Sequence, residues 1–267
     1  MPQFEVSPKV KINYDIFPHS APQTTFFVHG NLASNRWWMP TVEELRKKYP
    51  NASGSVICAE FRGCGGSSTP EKESDVTMDN FANDFISLIR SLKLEKVNLV
   101  GHSTGGLIIA MMLAKAPELF NKAFMLDPVG AVGVKFDSSM IQAFEAMKID
   151  KNLTAAVIGS TIHNNNPDAA FFKDIIVEDA FKSVKQVGHL VLKALDGLDV
   201  REQLKSSNHQ VMVMHGEHDQ LLPKADSEKL AKIFNNGRFE VLRGCGHCGN
   251  YENPKLFVDA MAKFLYS

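Results

Sequence analysis

A serine hydroxyl attacks a carbonyl only when a neighbouring base takes its proton. Ser103 stands in Gly101-His102-Ser103-Thr104-Gly105, after the run Val97–Val100 and before a second apolar run, Leu107–Ala114. As a bare pattern G-x-S-x-G is weak. Where a strand gives way to a helix, it acquires a purpose. The glycines keep side chains out of a close strand-to-helix approach, and the serine occupies a strained turn. The first N–H groups of the new helix, unpaired, point to where an oxyanion would form. Such a serine needs a histidine and a carboxylate. Of nine histidines, His247 in "RGCGHCGNYENP" follows the last expected strand, and Asp219 in "MHGEHDQLLP" lies just past the strand before it. Both then sit at carboxyl ends of strands, the edge where open α/β sheets build their sites.

The elements that must position these groups are legible as alternating patterns. Residues 3–17 read as two short strands, followed by strands at 24–30, 55–61, 96–101, 122–130, 209–216 and 238–244. Helical spacing falls over 42–49, over Phe81, Phe85, Leu88 and Leu92, and over 105–116, 224–235 and 254–266. Strands alternating with helices imply an α/β chain with a mostly parallel central sheet flanked by helices. From 131 to 205 no buried strand is visible, and Ile141, Phe144 and Met147 suggest helices. We therefore expect a core of 1–130 and 206–267 with a mainly helical cap, 131–205, inserted over one edge of the sheet.

Composition excludes several classes of partner. The 267 residues can bury a large core, and 29 basic against 30 acidic side chains leave a formal charge of −1. That balance offers no attraction for nucleic acid or an anionic membrane. Leu107–Ala114, the longest apolar run, is far too short to span a bilayer. The first 17 residues carry charges throughout and lack a signal-peptide core. The expectation is a soluble, cytoplasmic monomer or homodimer acting on a small molecule. Four cysteines in this length do not make a disulfide framework.

Four stretches in order, "FFVHGN", "FRGCGGS", "LVGHSTGG" and the pair "MHGEHDQLLP" with "GCGHCGNYENP", make nearly the whole chain resemble the α/β-hydrolase fold with a cap domain. The resemblance implies Ser103 as nucleophile, His247 as general base and then acid, and Asp219 as the carboxylate that orients it. It implies an oxyanion hole from the backbone N–H of Thr104 and a donor in the "VHGN" loop, for which Asn31 is the candidate, its side chain included. Asp127, after "KAFML", is a rival acid, since some members of the fold place theirs there; Glu217 is a weaker one. Relatives with an aspartate at the elbow, the haloalkane dehalogenases and epoxide hydrolases, are set aside by Ser103.

Other readings of the same residues fare worse. Cys245-Gly246-His247-Cys248 spells a disulfide-exchange motif, but it stands in a turn-rich loop rather than at a helix start in a thioredoxin-like unit. A zinc site would want a second cysteine pair, and there is none. "RGCGGSS" lacks the spacing of a phosphate loop. No residue points to a metal or organic cofactor. The implied reaction is hydrolysis of a small carboxylic ester, lactone or thioester through an acyl-enzyme. Carbon–carbon bond hydrolysis, or a ligand receptor with little turnover, are the alternatives. Trp37, Trp38, Met140, Phe144, Phe171 and Phe172 are candidates to line an apolar acyl pocket.

Overall fold

The computed structural model describes residues 2–52 and 54–267. Eight strands form one sheet: β1 (Gln3–Ser7), β2 (Val10–Phe17), β3 (Thr24–Val28), β4 (Ser55–Ala59), β5 (Val97–His102), β6 (Phe120–Leu126), β7 (Gln210–Gly216) and β8 (Asn236–Leu242). Their spatial order is β1-β2-β4-β3-β5-β6-β7-β8. β2 runs antiparallel to β1 and β4, and every other pairing is parallel. The fold expected from the alternating pattern is the one observed.

Parallel strands buried on both faces should carry continuous apolar runs, and the inner strands do, at Phe26–Val28, Val56–Ala59, Ala123–Leu126 and Val211–Met214. Along β3, Phe26 and Val28 face one core cluster while Phe27 faces the other. The first cluster is closed by α2 (Met78–Ser91), α3 (Thr104–Lys115) and α9 (Lys224–Ile233), the second by α1 (Met39–Lys48) and α11 (Pro254–Leu265). Helix α2 starts where Thr77 accepts the Asn80 N–H, and it buries Phe81, Phe85 and Leu88. Helix α3 is different. It is buried from Thr104 through Leu113, because the sheet, α2 and α8 all pack against it. That accounts for its lack of a polar face.

Between β6 and β7 the chain is helical. It holds α4 (Ser138–Ile149), α5 (Lys151–Ser160), α6 (Glu178–Ser183), α7 (His189–Leu195) and α8 (Arg201–Leu204), with two π-helical turns at Phe172–Val177 and Val184–Gly188. Met147, Ile158, Phe172, Ile176, Val177 and Val184 form a third apolar cluster with Leu32, Trp37 and Cys248 of the loops at the carboxyl edge of the sheet. The segment thus sits over that edge. A short α10 (Gly249–Glu252) follows β8. No helix among the described residues is long and apolar enough to cross a membrane.

One close approach fixes the geometry at the end of β5. A Cβ on Gly105 would lie 2.3 Å from the Val28 carbonyl oxygen and 2.5 Å from that of His29. Gly105→Ala is therefore expected to force β3 and α3 apart and cost about 1–3 kcal/mol of stability. A urea midpoint equal to that of the unmodified chain would show the two backbones can part freely.

Candidate active site

Ser103 is the residue between β5 and α3, at φ 54° and ψ −122°. A non-glycine residue holds such a conformation only when its surroundings enforce it. Here its N–H donates to Leu126 O at 2.9 Å, while its own carbonyl accepts from Gly106 N at 2.9 Å and Val129 N at 3.1 Å. The turn is thereby tied to the end of β6 and the loop beyond it. The Ser103 side chain opens into a cavity of about 600 Å³.

His247 lines the same cavity. Its Nδ1 lies 2.8 Å from Asp219 Oδ2, and Asp219 Oδ1 accepts the N–H groups of Leu221 and Leu222 at 2.7 and 3.2 Å. Burial raises the Asp219 carboxyl, but the hydrogen bond and charge of His247, with those two N–H groups, outweigh it and bring it down to about 2. The carboxylate is thus ionised at neutral pH. Of the three acids raised from sequence, Asp219 hydrogen-bonds to His247, Asp127 does not, and Glu217 instead accepts the Gly244 N–H. Ser103 and His247 share the cavity, although no hydrogen bond joins them among the described residues.

The histidine turn is held by groups that the linear pattern did not single out. Glu252 accepts the N–H of Gly246 at 2.5 Å and of Cys248 at 2.9 Å, one with each carboxylate oxygen. His102 Nε2 lies 2.9 Å from the His247 carbonyl. Burial, and then the charge of His247, lowers His102 to about 3, so the ring is neutral and Nε2 is the donor. The helical segment contributes as well, since the His247 N–H donates to Thr161 O at 3.3 Å. The neighbouring thiols are free and buried. Burial pushes Cys245 up to about 12 and Cys248 well above its ordinary range, the reverse of a reactive thiolate.

Asn31 and Thr104 both line the cavity beside Ser103. Thr104 opens α3, so its N–H has no intrahelical partner. The Asn31 N–H also makes no hydrogen bond among the described residues. The Asn31 side chain, however, is committed elsewhere, which corrects the expectation that it reaches the pocket as a donor. Its Nδ2 donates to Gly188 O at 2.9 Å and its Oδ1 accepts Leu32 N at 3.0 Å. Gly188 ends a π-helical turn, and a Cβ there would fall 2.3 Å from Leu32 Cδ2. The loop after β3 is thus fastened to the helical segment by this bond and tight contact, and again further along where Ser34 Oγ donates to Asp179 of α6 at 2.6 Å.

Trp37, Met140 and Phe144 line the cavity, as the sequence suggests. Trp38 does not. It is buried in the second core against Phe27 and Phe257, on the far side of the loop. Phe171 stacks on Tyr251 and Phe172 fills the core of the helical segment, so neither lines the cavity. Val129, Val134, Leu192, Leu195 and Leu222 provide much of the wall instead. They sit in unpatterned loops or on α7, where sequence spacing points only to burial. Asp127, Asp219 and His247 bring three potential metal ligands within 4.8 Å of one another. The His247 and Asp219 atoms are already spent on each other and on backbone donors, and Asp127 Oδ1 is spent on the Gly216 N–H, so the trio is poorly suited to a cation.

The sequence model described as the alpha/beta hydrolase family matches residues 26–260. The 3-oxoadipate enol-lactonase 2 of Acinetobacter baylyi is 26% identical over 94% of this chain and 92% of its own length. A 2-hydroxymuconate semialdehyde hydrolase of a Pseudomonas species is 23% identical over 85% and 80%. The solved enol-lactonase of Burkholderia xenovorans superposes with a TM-score of 0.84 at 19% identity, over 100% of both chains, a likeness of fold.

Two measurements test this geometry. Asn31→Ala removes the bond to the Gly188 carbonyl and loosens the loop beside Ser103; turnover is expected to fall on the order of tenfold with a smaller effect on stability. Unchanged turnover would mean that the latch does not set the loop. Separately, burial holds His29 at about 4 and His102 at about 3, against 6.5 for the unfolded chain. As pH falls below 6.5 the unfolded state takes up protons that the folded state refuses, so stability is lost progressively towards those lower values. The expected slope is about 1.4 kcal/mol per pH unit for each histidine. Thermal melts at pH 7.5, 6 and 5 read it (the probe is light scattering-free circular dichroism), and a flat melting temperature would contradict it.

Proposed function

The chain belongs to the alpha/beta hydrolase family, and on that premise we propose that it hydrolyses a small, largely apolar carboxylic ester through an acyl-enzyme on Ser103. Lactones and thioesters are close variants of the same chemistry. The observation that carries the reading is the 2.8 Å bond between His247 Nδ1 and Asp219, in a site where His247 and Ser103 line one apolar cavity. That bond fixes the tautomer: Nδ1 holds its proton towards Asp219, which leaves Nε2 as the basic nitrogen.

In this mechanism His247 Nε2 takes the Ser103 proton as Oγ attacks the ester carbonyl. The oxyanion is received by the N–H groups of Asn31 and Thr104. His247 then gives its proton to the leaving alcohol, and the ester C–O bond breaks. Water, deprotonated by the same nitrogen, attacks the acyl-enzyme and restores Ser103. Asp219, ionised throughout, stabilises the imidazolium that forms at each stage. Residues 131–205 act as a cap, and their Met140, Phe144, Leu192 and Leu195 select the acyl group. Carbon–carbon bond hydrolysis is the second reading, favoured by the similarity to a semialdehyde hydrolase.

Steady-state hydrolysis of p-nitrophenyl esters of increasing acyl length tests the proposal. Repeated turnover is expected, with kcat/KM rising as methylenes are buried, at ~0.8 kcal/mol each, until the cavity is full. Ser103→Ala should lose on the order of a millionfold in kcat, and Asp219→Asn on the order of ten-thousandfold. A single stoichiometric burst from the unmodified protein would favour a receptor, and activity surviving in Ser103→Ala would overturn the mechanism.

A further inference from the structure

Asp127 is a fully buried acid that the proposed triad leaves idle. It follows β6 at φ 43°, where its N–H donates to Met214 O at 2.8 Å. Its Oδ1 accepts the Gly216 N–H at 2.7 Å and lies 3.3 Å from His215 Nδ1. Its Oδ2 is buried, and no donor reaches it among the described residues. An ionised carboxylate in that position would hold a whole charge out of water with one oxygen unsatisfied. The adjoining group is itself a carboxylate: Asp127, Asp219 and His247 each present an atom within 4.8 Å of the others, and the Asp219 side chain is a hydrogen-bond partner for Asp127. Two carboxylates so placed repel unless one carries a proton.

We propose that Asp127 is kept as a neutral carboxylic acid whose Oδ2 hydroxyl donates to Asp219, making Asp127 a positioning residue for the carboxylate that holds His247. The proposal rests on the triad reading for its effect on catalysis, not for the existence of the proton. The two environments push the acids apart. Burial first, and then the charge of Asp219, raises Asp127 well above the usual carboxylate range, while Asp219 is drawn down to about 2 by His247 and two backbone N–H groups despite its burial.

The surrounding groups supply no competing cation. His215 on β7 is lowered by burial and is neutral, Glu252 on α10 adds negative charge, and Cys245 and Cys248 are buried un-ionised thiols. His247 is already engaged by Asp219. With Asp127 neutral, Asp219 accepts from His247 on one oxygen and is restrained by a further donor. His247 then faces one negative charge rather than two.

Infrared difference spectra of the unmodified protein and Asp127→Asn test the proton without any substrate. A protonated-carboxyl C=O band that moves in heavy water is expected in the former and should vanish in the variant. The unmodified fold retains a proton that the unfolded chain releases above 3.8, so it loses stability as pH rises. The melting temperature of Asp127→Asn relative to it should therefore climb between pH 5 and pH 9. In turnover, Asp127→Ala is expected to lose on the order of tenfold. Asp127→Asn, which offers an N–H to Asp219 and an oxygen to Gly216, should rescue most of that loss and leave the acid limb of kcat/KM in place.

No carboxyl band lost in Asp127→Asn would overturn the proposal. So would a collapse of turnover in that variant with the acid limb moved to lower pH, the mark of an ionised Asp127. If Ser103→Ala still hydrolysed ester, the triad reading would fail while the infrared and melting results stood on their own.

Discussion

Ser103 is held at a backbone angle that a serine does not choose, and most of the molecule bears on keeping it there. The strain is local, but what enforces it is not. Two hydrogen bonds bind the turn to β6 and the loop after it, and Gly105 lets α3 come into contact with the carbonyls at the end of β3. The two large cores on either face of the sheet make these contacts hard to relax, because a packed interior transmits strain instead of absorbing it. A stable scaffold can therefore present a hydroxyl in a conformation that would be lost in a flexible loop.

Around that turn the distribution of protons follows from burial. His29 and His102 are kept neutral by exclusion from water, and a neutral His102 can donate to the His247 carbonyl and steady the loop. Asp219 alone gathers enough donors to stay charged. Its neighbour Asp127 accepts the Gly216 N–H on one oxygen and no donor on the other, and it is pushed the other way. The same low-dielectric surroundings thus give opposite results for two aspartates, and the count of hydrogen-bond donors decides which one ionises.

The helical segment does more than roof the cavity. Its Gly188 carbonyl holds Asn31 and its Thr161 carbonyl holds the His247 N–H, so both loops that flank Ser103 are fastened to it. The π-helical turn ending at Gly188 shifts the local hydrogen-bond register, and π-turns recur at functional positions for that reason. Any movement of this segment would be felt at the nucleophile's neighbours before it was felt by the core.

Much of this could be read from the chain alone. The sheet was legible because buried parallel strands are apolar runs punctuated by glycine and loop residues. The stretches holding Ser103, Asp219 and His247 were legible because each follows such a strand, so a local pattern already placed them on one edge. Asn31 and Thr104, placed beside Ser103 by their neighbours in the chain, line the same cavity. Side-chain direction was not legible, because it depends on residues far apart in sequence. Trp37 and Trp38 are adjacent, yet one lines the cavity and the other fills a core under α11. Asn31 turns its amide to a carbonyl 157 positions away, and Asp127 meets Asp219 only because β6 and β7 pair. Spacing along the chain determined which groups reach the carboxyl edge of the sheet, and the packing of distant segments decided which of them touch, which are buried, and which keep a proton.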